Sequence, residues 1–158
     1  MIKDAFHNIL GWFLGVEPLT ANDELWLYDF PINPVNVPSF LVIKKTNTDP
    51  EVMFQKMFKA IGREHRCGVK MVKIFGKYYF KKLNDEEYAK YIKVYCGIKP
   101  EITSEKEAIE FALKMKSLEG KSFDMCTCRA FYLPNFSPTE SAYLVLGHHT
   151  HQDGISQF

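Results

Sequence analysis

Cysteine is scarce in this sequence: of 158 residues only Cys67, Cys96, Cys126 and Cys128 are thiols, and none is paired as C-x-x-C. Four are too few to staple a domain of this size, and a reducing, intracellular compartment fits them. An excess of one charge is lacking as well. Lys and Arg number 20 against 19 acidic residues, for a net charge of +1, so the whole molecule has no long-range field to draw in polyanions. Long hydrophobic runs are missing: the longest apolar stretch without a charge, Ile9 to Val16, is far below the roughly 20 residues of a membrane-spanning helix. No repeat, low-complexity tract or nucleic-acid module signature is present, and no nucleic-acid partner is expected. What is present, 46% hydrophobic and 25% charged residues, is the balance of one globular domain with a substantial core.

Residues 1–16 place Ile2, Phe6, Ile9, Leu10, Phe13 and Leu14 at helical spacing, with Lys3, Asp4, His7 and Asn8 between them. This predicts an amphipathic N-terminal helix, either docked on its own domain or a partner, or lying in a membrane interface, which Trp12 and Phe13 suit. A targeting presequence fits less well, since the segment has no Arg and carries an acidic residue. From Glu17 to Pro38 four prolines frame a short helix begun by Thr20.

Ser39 to Lys44 reads as a strand buried on both faces. Asp49-Pro50 starts a helix whose stripe is Met53, Phe54, Met57, Phe58 and Ile61, ending at Gly62. Val69 to Phe75 and Lys77 to Leu83 flank Gly76 as a strand pair or one bent strand. Asn84 to Glu87 and Ser104 to Glu107 are capping-box patterns. The helix after Ser104 is expected to bury Ala108, Ile109, Phe111, Ala112, Met115 and Leu118 before Gly120. Cys126 to Leu133 and Ala142 to Leu146 are strands joined through Pro134 to Pro138. The elements are mixed without strict βαβ alternation, so the fold class is α+β: a mixed sheet flanked by helices on one face.

The chemistry-bearing cluster follows the last strand: Gly147-His148-His149-Thr150-His151-Gln152-Asp153-Gly154. An imidazole at a strand end titrates near neutrality on a backbone held by the sheet, as a general base requires. A carboxylate four residues after His149 can pin the loop, and Gly154 permits a tight turn or close ligand approach. Other readings use the same side chains. Cys126, Cys128, His149 and His151 are a chemically suitable zinc set, but C-x-C and H-x-H beside a strand lack the usual knuckle, and no metal is expected. Cys126 and Cys128 are instead read as small apolar residues filling a strand face. A Cys nucleophile activated by His is the remaining possibility on paper. The run from Arg63 to Lys82 mixes Arg63, Arg66 and five lysines with Phe75, Tyr78, Tyr79 and Phe80; such a mix can grip single-stranded nucleic acid or the phosphates of an anionic membrane or of coenzyme A, but it is read as a strand pair with one solvated lysine face. His7 and His65 have no partner at useful spacing.

His148-His149-x-x-x-Asp153-Gly154 resembles the H-H-x-x-x-D-G signature of the coenzyme-A-dependent acyltransferases and peptide-synthetase condensation domains, which share the chloramphenicol-acetyltransferase-like fold. Pro18-Leu19-Thr20-x-x-Asp23, Asn36-Val37-x-x-Phe40 and Glu140 to Leu146 resemble segments of the wax ester synthase/diacylglycerol acyltransferases. The resemblance implies half of that fold, with residues 1–16 as a separate helix and residues 17–158 as an N-terminal half-domain ending at the motif. It implies His149 as base toward an alcohol acceptor that attacks a fatty acyl-CoA thioester, His148 as loop support, Asp153 as structural and Gly154 as clearance. No cofactor is implied beyond acyl-CoA as co-substrate. The acceptor implied is a long-chain alcohol or diacylglycerol. A second domain or partner protein is expected to complete the site, with peripheral membrane contact through residues 1–16, at endoplasmic reticulum or lipid droplet. The family's proline-leucine-tryptophan element falls by spacing at Cys126 to Cys128 and is absent. The alternative is a non-catalytic acyltransferase-like subunit docked in a larger membrane-bound or mitochondrial assembly.

Overall fold

The computed structural model describes residues 2–21, 23–24, 36–61, 68–117 and 128–148. In chain order the elements are α1 (Ile2–Leu14), β1 (Val16–Pro18), β2 (Asn36–Lys44), α2 (Pro50–Ile61), β3 (Val69–Ile74), β4 (Lys77–Lys82), α3 (Asp85–Tyr95), β5 (Gly97–Ile98), α4 (Glu105–Ser117), β6 (Cys128–Leu133) and β7 (Glu140–His148). The described strands form two sheets. One is three-stranded and antiparallel in the order β1-β4-β3, and the other is four-stranded in the order β2-β7-β6-β5, mixed because β5 runs parallel to β6.

Local chemistry sets the ends of these elements. Asp49 Oδ1 accepts the Glu51 N–H at 2.9 Å, leaving Pro50 at the first helical position of α2. At α3, Asn84 Oδ1 accepts the Glu87 N–H at 2.8 Å while Glu87 Oε2 accepts the Asn84 N–H at 3.1 Å, the reciprocal capping box. The Lys70 ammonium also binds Glu87, and these donors hold its carboxyl below the usual carboxylate range. Asn84→Ala is expected to lower stability by about 1 kcal/mol, read as a shifted urea midpoint at unchanged slope. The second box is displaced by one residue. Ser104 Oγ accepts the Glu107 N–H at 3.3 Å, yet the Glu107 carboxylate turns to the Thr103 N–H and hydroxyl, at 2.7 and 3.1 Å, which together offer two donors.

Phe75 and Gly76 both have positive φ, 48° and 82°, so β3 and β4 are a strand pair closed by a two-residue turn of the primed type. The core lies on both faces of the four-stranded sheet. Phe54, Met57 and Phe58 of α2 and Tyr91 of α3 cover Cys128, Ala130 and Tyr132; Ala108 and Ala112 of α4, with Ile102, cover Phe131, Leu133, Leu144 and Leu146. Helices therefore flank the mixed sheet on both faces rather than one, and every residue of β6 is buried.

Three further expectations are corrected. β2 is not buried on both faces: it is the edge strand beside β7, and Leu41 is 62% exposed. Ile109 sits on the outer flank of α4 and is exposed, while Ala108, Phe111, Ala112 and Met115 face the sheet. His7 has a partner after all, the hydroxyl of buried Tyr79 at 2.5 Å from its Nδ1. Burial pushes that phenol above its usual range, so it stays protonated in the bond. The helix expected to run on from Thr20, and Leu118, Gly120, Gly62, His65 and Cys126, lie wholly or partly outside the described residues.

Candidate active site

β7 is the strand that carries the histidine motif, and it is paired on both sides. β2 accompanies it from Lys44 opposite Glu140 to Asn36 opposite His148, and β6 from Leu133 opposite Ala142 to Cys128 opposite Gly147. The chain beyond His148 thus leaves from inside the sheet, at the end where β2 and β6 begin. Leu144 and Leu146, fully buried, lock the strand onto α4 and fix this exit. Of the four candidate residues, the structure places His148 by its backbone, as the last residue of β7 opposite Asn36. His149, Asp153 and Gly154 lie outside the described residues.

The same sheet end is held by contacts that no local sequence signal announces. The Tyr91 hydroxyl of α3 donates to the Cys128 carbonyl, joining that helix to the first residue of β6. Arg129, next in β6, is buried, with its guanidinium carbon 4.9 Å from the centre of the Tyr95 ring. Nearer the other end of β7, on the α2 side, the Tyr143 hydroxyl donates to the Met53 carbonyl at 3.3 Å, and burial, then the neighbouring Tyr132, raises its pKa. These pairs are separated by 37, 34 and 90 residues, so spacing along the chain carries no trace of them.

The competing readings fare differently. Cys128 packs in the apolar cluster of Phe58 and Tyr91, as a small strand-face residue does. Among the described residues no group of three His, Cys, Asp or Glu is placed to hold a metal; Cys126, His149 and His151 are outside them. In the basic run, Lys70 pairs with Glu87, Lys77 lies 3.9 Å from Glu24, and Lys73 stands over the Tyr78 ring. A cleft of about 310 Å³ is lined by Asn8, Pro18 to Ala21, Glu24 and Lys77, with no residue of the histidine motif among them.

The opening segment that resembled the acyltransferases has a structural job. Thr20 N–H and hydroxyl both donate to Asp23 Oδ2, at 2.9 and 2.7 Å, and the Asp23 N–H returns a bond to Thr20 Oγ1 at 3.2 Å. Leu19 beside them is buried against Val69, Met71 and Phe80. Pro-Leu-Thr-x-x-Asp therefore anchors the chain to the β3–β4 hairpin and closes a helical turn.

The fold is shared with about a third of the length of solved chloramphenicol-acetyltransferase-like structures. Among solved structures the chain is similar to the wax ester synthase/diacylglycerol acyltransferase of Marinobacter aquaeolei VT8, at 14% identity and a TM-score of 0.62, over 89% of this chain and 36% of that one. It is similar to the tallysomycin biosynthesis protein TlmII, at 11% identity and a TM-score of 0.68, over 89% of this chain and 35% of that one. It is likewise similar to the starter condensation domain of the rhizomide synthetase in complex with C8-CoA and Leu-SNAC, at 11% identity and a TM-score of 0.66, over 94% of this chain and 34% of that one. The chain thus spans about a third of the length of each. No family model matches the sequence, and no curated protein does.

Proposed function

We propose that this chain is the N-terminal half-domain of an acyl-CoA-dependent O-acyltransferase, with His149 as general base. One observation carries the reading: H-H-x-x-x-D-G begins at the last residue of β7, in a chain whose fold is shared with a wax ester synthase/diacylglycerol acyltransferase. In the proposed reaction the His149 imidazole takes the proton of the acceptor hydroxyl as its oxygen attacks the thioester carbonyl. The new C–O bond forms, the C–S bond breaks, and the imidazolium returns its proton to the departing thiolate, so the products are an ester and free coenzyme A. Asp153 and His148 support the loop, and Gly154 gives the substrate clearance.

Fatty acyl-CoA as donor is supported by the C8-CoA complexes of the condensation-domain neighbours, and a long-chain alcohol or diacylglycerol as acceptor by the name of the wax ester synthase neighbour. A second domain or partner protein supplies the facing wall, consistent with the third of those chains that this one spans. The test is an assay of the natively purified protein with fatty acyl-CoA and each acceptor. Ester formation with one free thiol released per ester is the expected result; release of thiol without ester, or neither, rejects the proposal.

A further inference from the structure

A strand at the edge of a sheet offers a row of unpaired amides, and folded proteins blunt such edges by shortness, charge, proline or a bulge. The described edges of this chain are blunted unequally. β1 is three residues long and ends at Pro18, β5 is two residues long, and β3 carries Lys70 and Lys73. β2 runs for nine residues in unbroken register with β7, and from Asn36 to Ile43 it has no charged residue.

One hydrogen bond shows which of its backbone groups are open. The Lys45 N–H donates to the Thr139 carbonyl at 2.9 Å, one step beyond the Lys44–Glu140 pair, so Lys45 turns its polar groups toward the β7 side. In an antiparallel ladder that direction alternates residue by residue. Leu41 and Ile43 therefore bond β7, while Phe40, Val42 and Lys44 each turn an N–H and a C=O to the open side, and Pro38 a carbonyl alone. No hydrogen bond from any other described residue reaches the open groups of Phe40, Val42 or Lys44. Apolar side chains are also exposed on both faces of this strand. Leu41, 62% exposed, lies on the α2 side beside Tyr143, and Val42, 43% exposed, on the α4 side beside Ala142. A strand that covers both must present apolar side chains to both faces, and Phe40 to Ile43 is itself such a stretch.

The edge fits a second copy of itself. With Val42 opposite Val42 about a twofold axis, Phe40 of each copy stands opposite Lys44 of the other. Each copy then gives three N–H groups to three carbonyls, and Pro38, which has no donor, falls outside the pairs. Leu41 meets Ile43 of the other copy on the α2 side, and the two Val42 side chains meet on the α4 side. The Lys44 residues are offset by four positions, about 14 Å along the strands, beyond the screening length of about 8 Å at physiological salt. Like charge therefore does not oppose the contact. Because the pairing is isologous and uses the one unblunted edge among the described strands, it closes at two copies.

We infer that β2 is the surface by which two copies of this chain associate, edge to edge, as an antiparallel continuation of the four-stranded sheet. The inference uses no residue of the histidine motif and stands apart from the acyl-transfer reading.

The experiment follows the full chain by sedimentation velocity and by amide hydrogen exchange over a range of protein concentrations. The expected result is a monomer–dimer equilibrium in which the Phe40, Val42 and Lys44 amides become protected as the dimer forms, while those of Leu41 and Ile43 are protected throughout. Val42→Pro removes an open donor without touching a bond to β7, and Leu41→Lys brings a charge near Lys45 of the other copy. Each should raise the dissociation constant of the dimer more than about tenfold. Leu41→Lys alters an exposed side chain, so it carries the test if the proline disturbs the strand. Leu113→Lys, on the exposed flank of α4, should change the constant less than about twofold. A monomer at every concentration, a dimer whose Phe40, Val42 and Lys44 amides stay unprotected, or a dimer indifferent to Leu41→Lys overturns the inference. So does protection of those three amides in the monomer, which would assign the edge to another segment of the same chain, or protection only with a co-purified protein, which would assign it to that protein.

Discussion

Replacing His149 by alanine is expected to lower acyl transfer by about 10²-fold to 10⁴-fold, the usual contribution of a positioned general base. The loss should fall on turnover and leave folding intact, because the pairing of β7 with β2 ends at His148 and that with β6 at Gly147. The thermal midpoint of the variant is the control. A His148→Ala variant should lose less, since that residue is assigned loop support. Activity that survives His149→Ala would remove the base from its assignment and point to a different proton acceptor.

The second large effect concerns the strand that carries the motif. Leu144 is fully buried at the middle of β7 against α4, so Leu144→Ala is expected to cost about 2–5 kcal/mol, the transfer free energy of the lost atoms plus the cavity they leave. Against a total of about 5–15 kcal/mol for a domain, that is a large fraction, and the denaturant midpoint should fall steeply. Leu41→Ala in the edge strand β2 is the matched comparison, with an expected cost below about 1 kcal/mol because that side chain is mostly in water already. Similar losses for the two would mean that β7 is not the buried interior strand of this sheet.

Much of the architecture was legible because its determinants are local. The α2 stripe repeats at helical period over a dozen residues, and Asn84 with Glu87 satisfies its helix start within one turn. Gly76 between two apolar-and-lysine runs marks the hairpin for the same reason. The edge position of β2 was not legible, since the run Phe40 to Ile43 reads alike in a central and an outer strand; pairing order is a property of the whole sheet. β5 escaped because two residues carry no period. For α1, periodicity revealed two unlike faces but could not say which one docks; that choice is made by Gly11 against Val16 and His7 against Tyr79, residues far apart in sequence or too small to signal.

The candidate site divides in the same way. Its histidines, aspartate and glycine are contiguous and were visible as a motif. The groups that brace the strand end, Tyr91 on the Cys128 carbonyl and Arg129 beside Tyr95, come together only through folding. The opening Pro-Leu-Thr-x-x-Asp was visible too, but its role as an anchor for the turn at Thr20 needed the hydrogen bonds to be seen.

The proposal that this chain is one half of an acyl-transfer site is tested most directly by the intact mass of the natively purified polypeptide, taken together with the identity of what co-purifies. The expected result is either a mass well above 18.4 kDa, with the facing domain on the same chain, or 18.4 kDa in stoichiometric complex with a protein that supplies it. A stable monomer of 18.4 kDa, alone and without transfer activity, would contradict it.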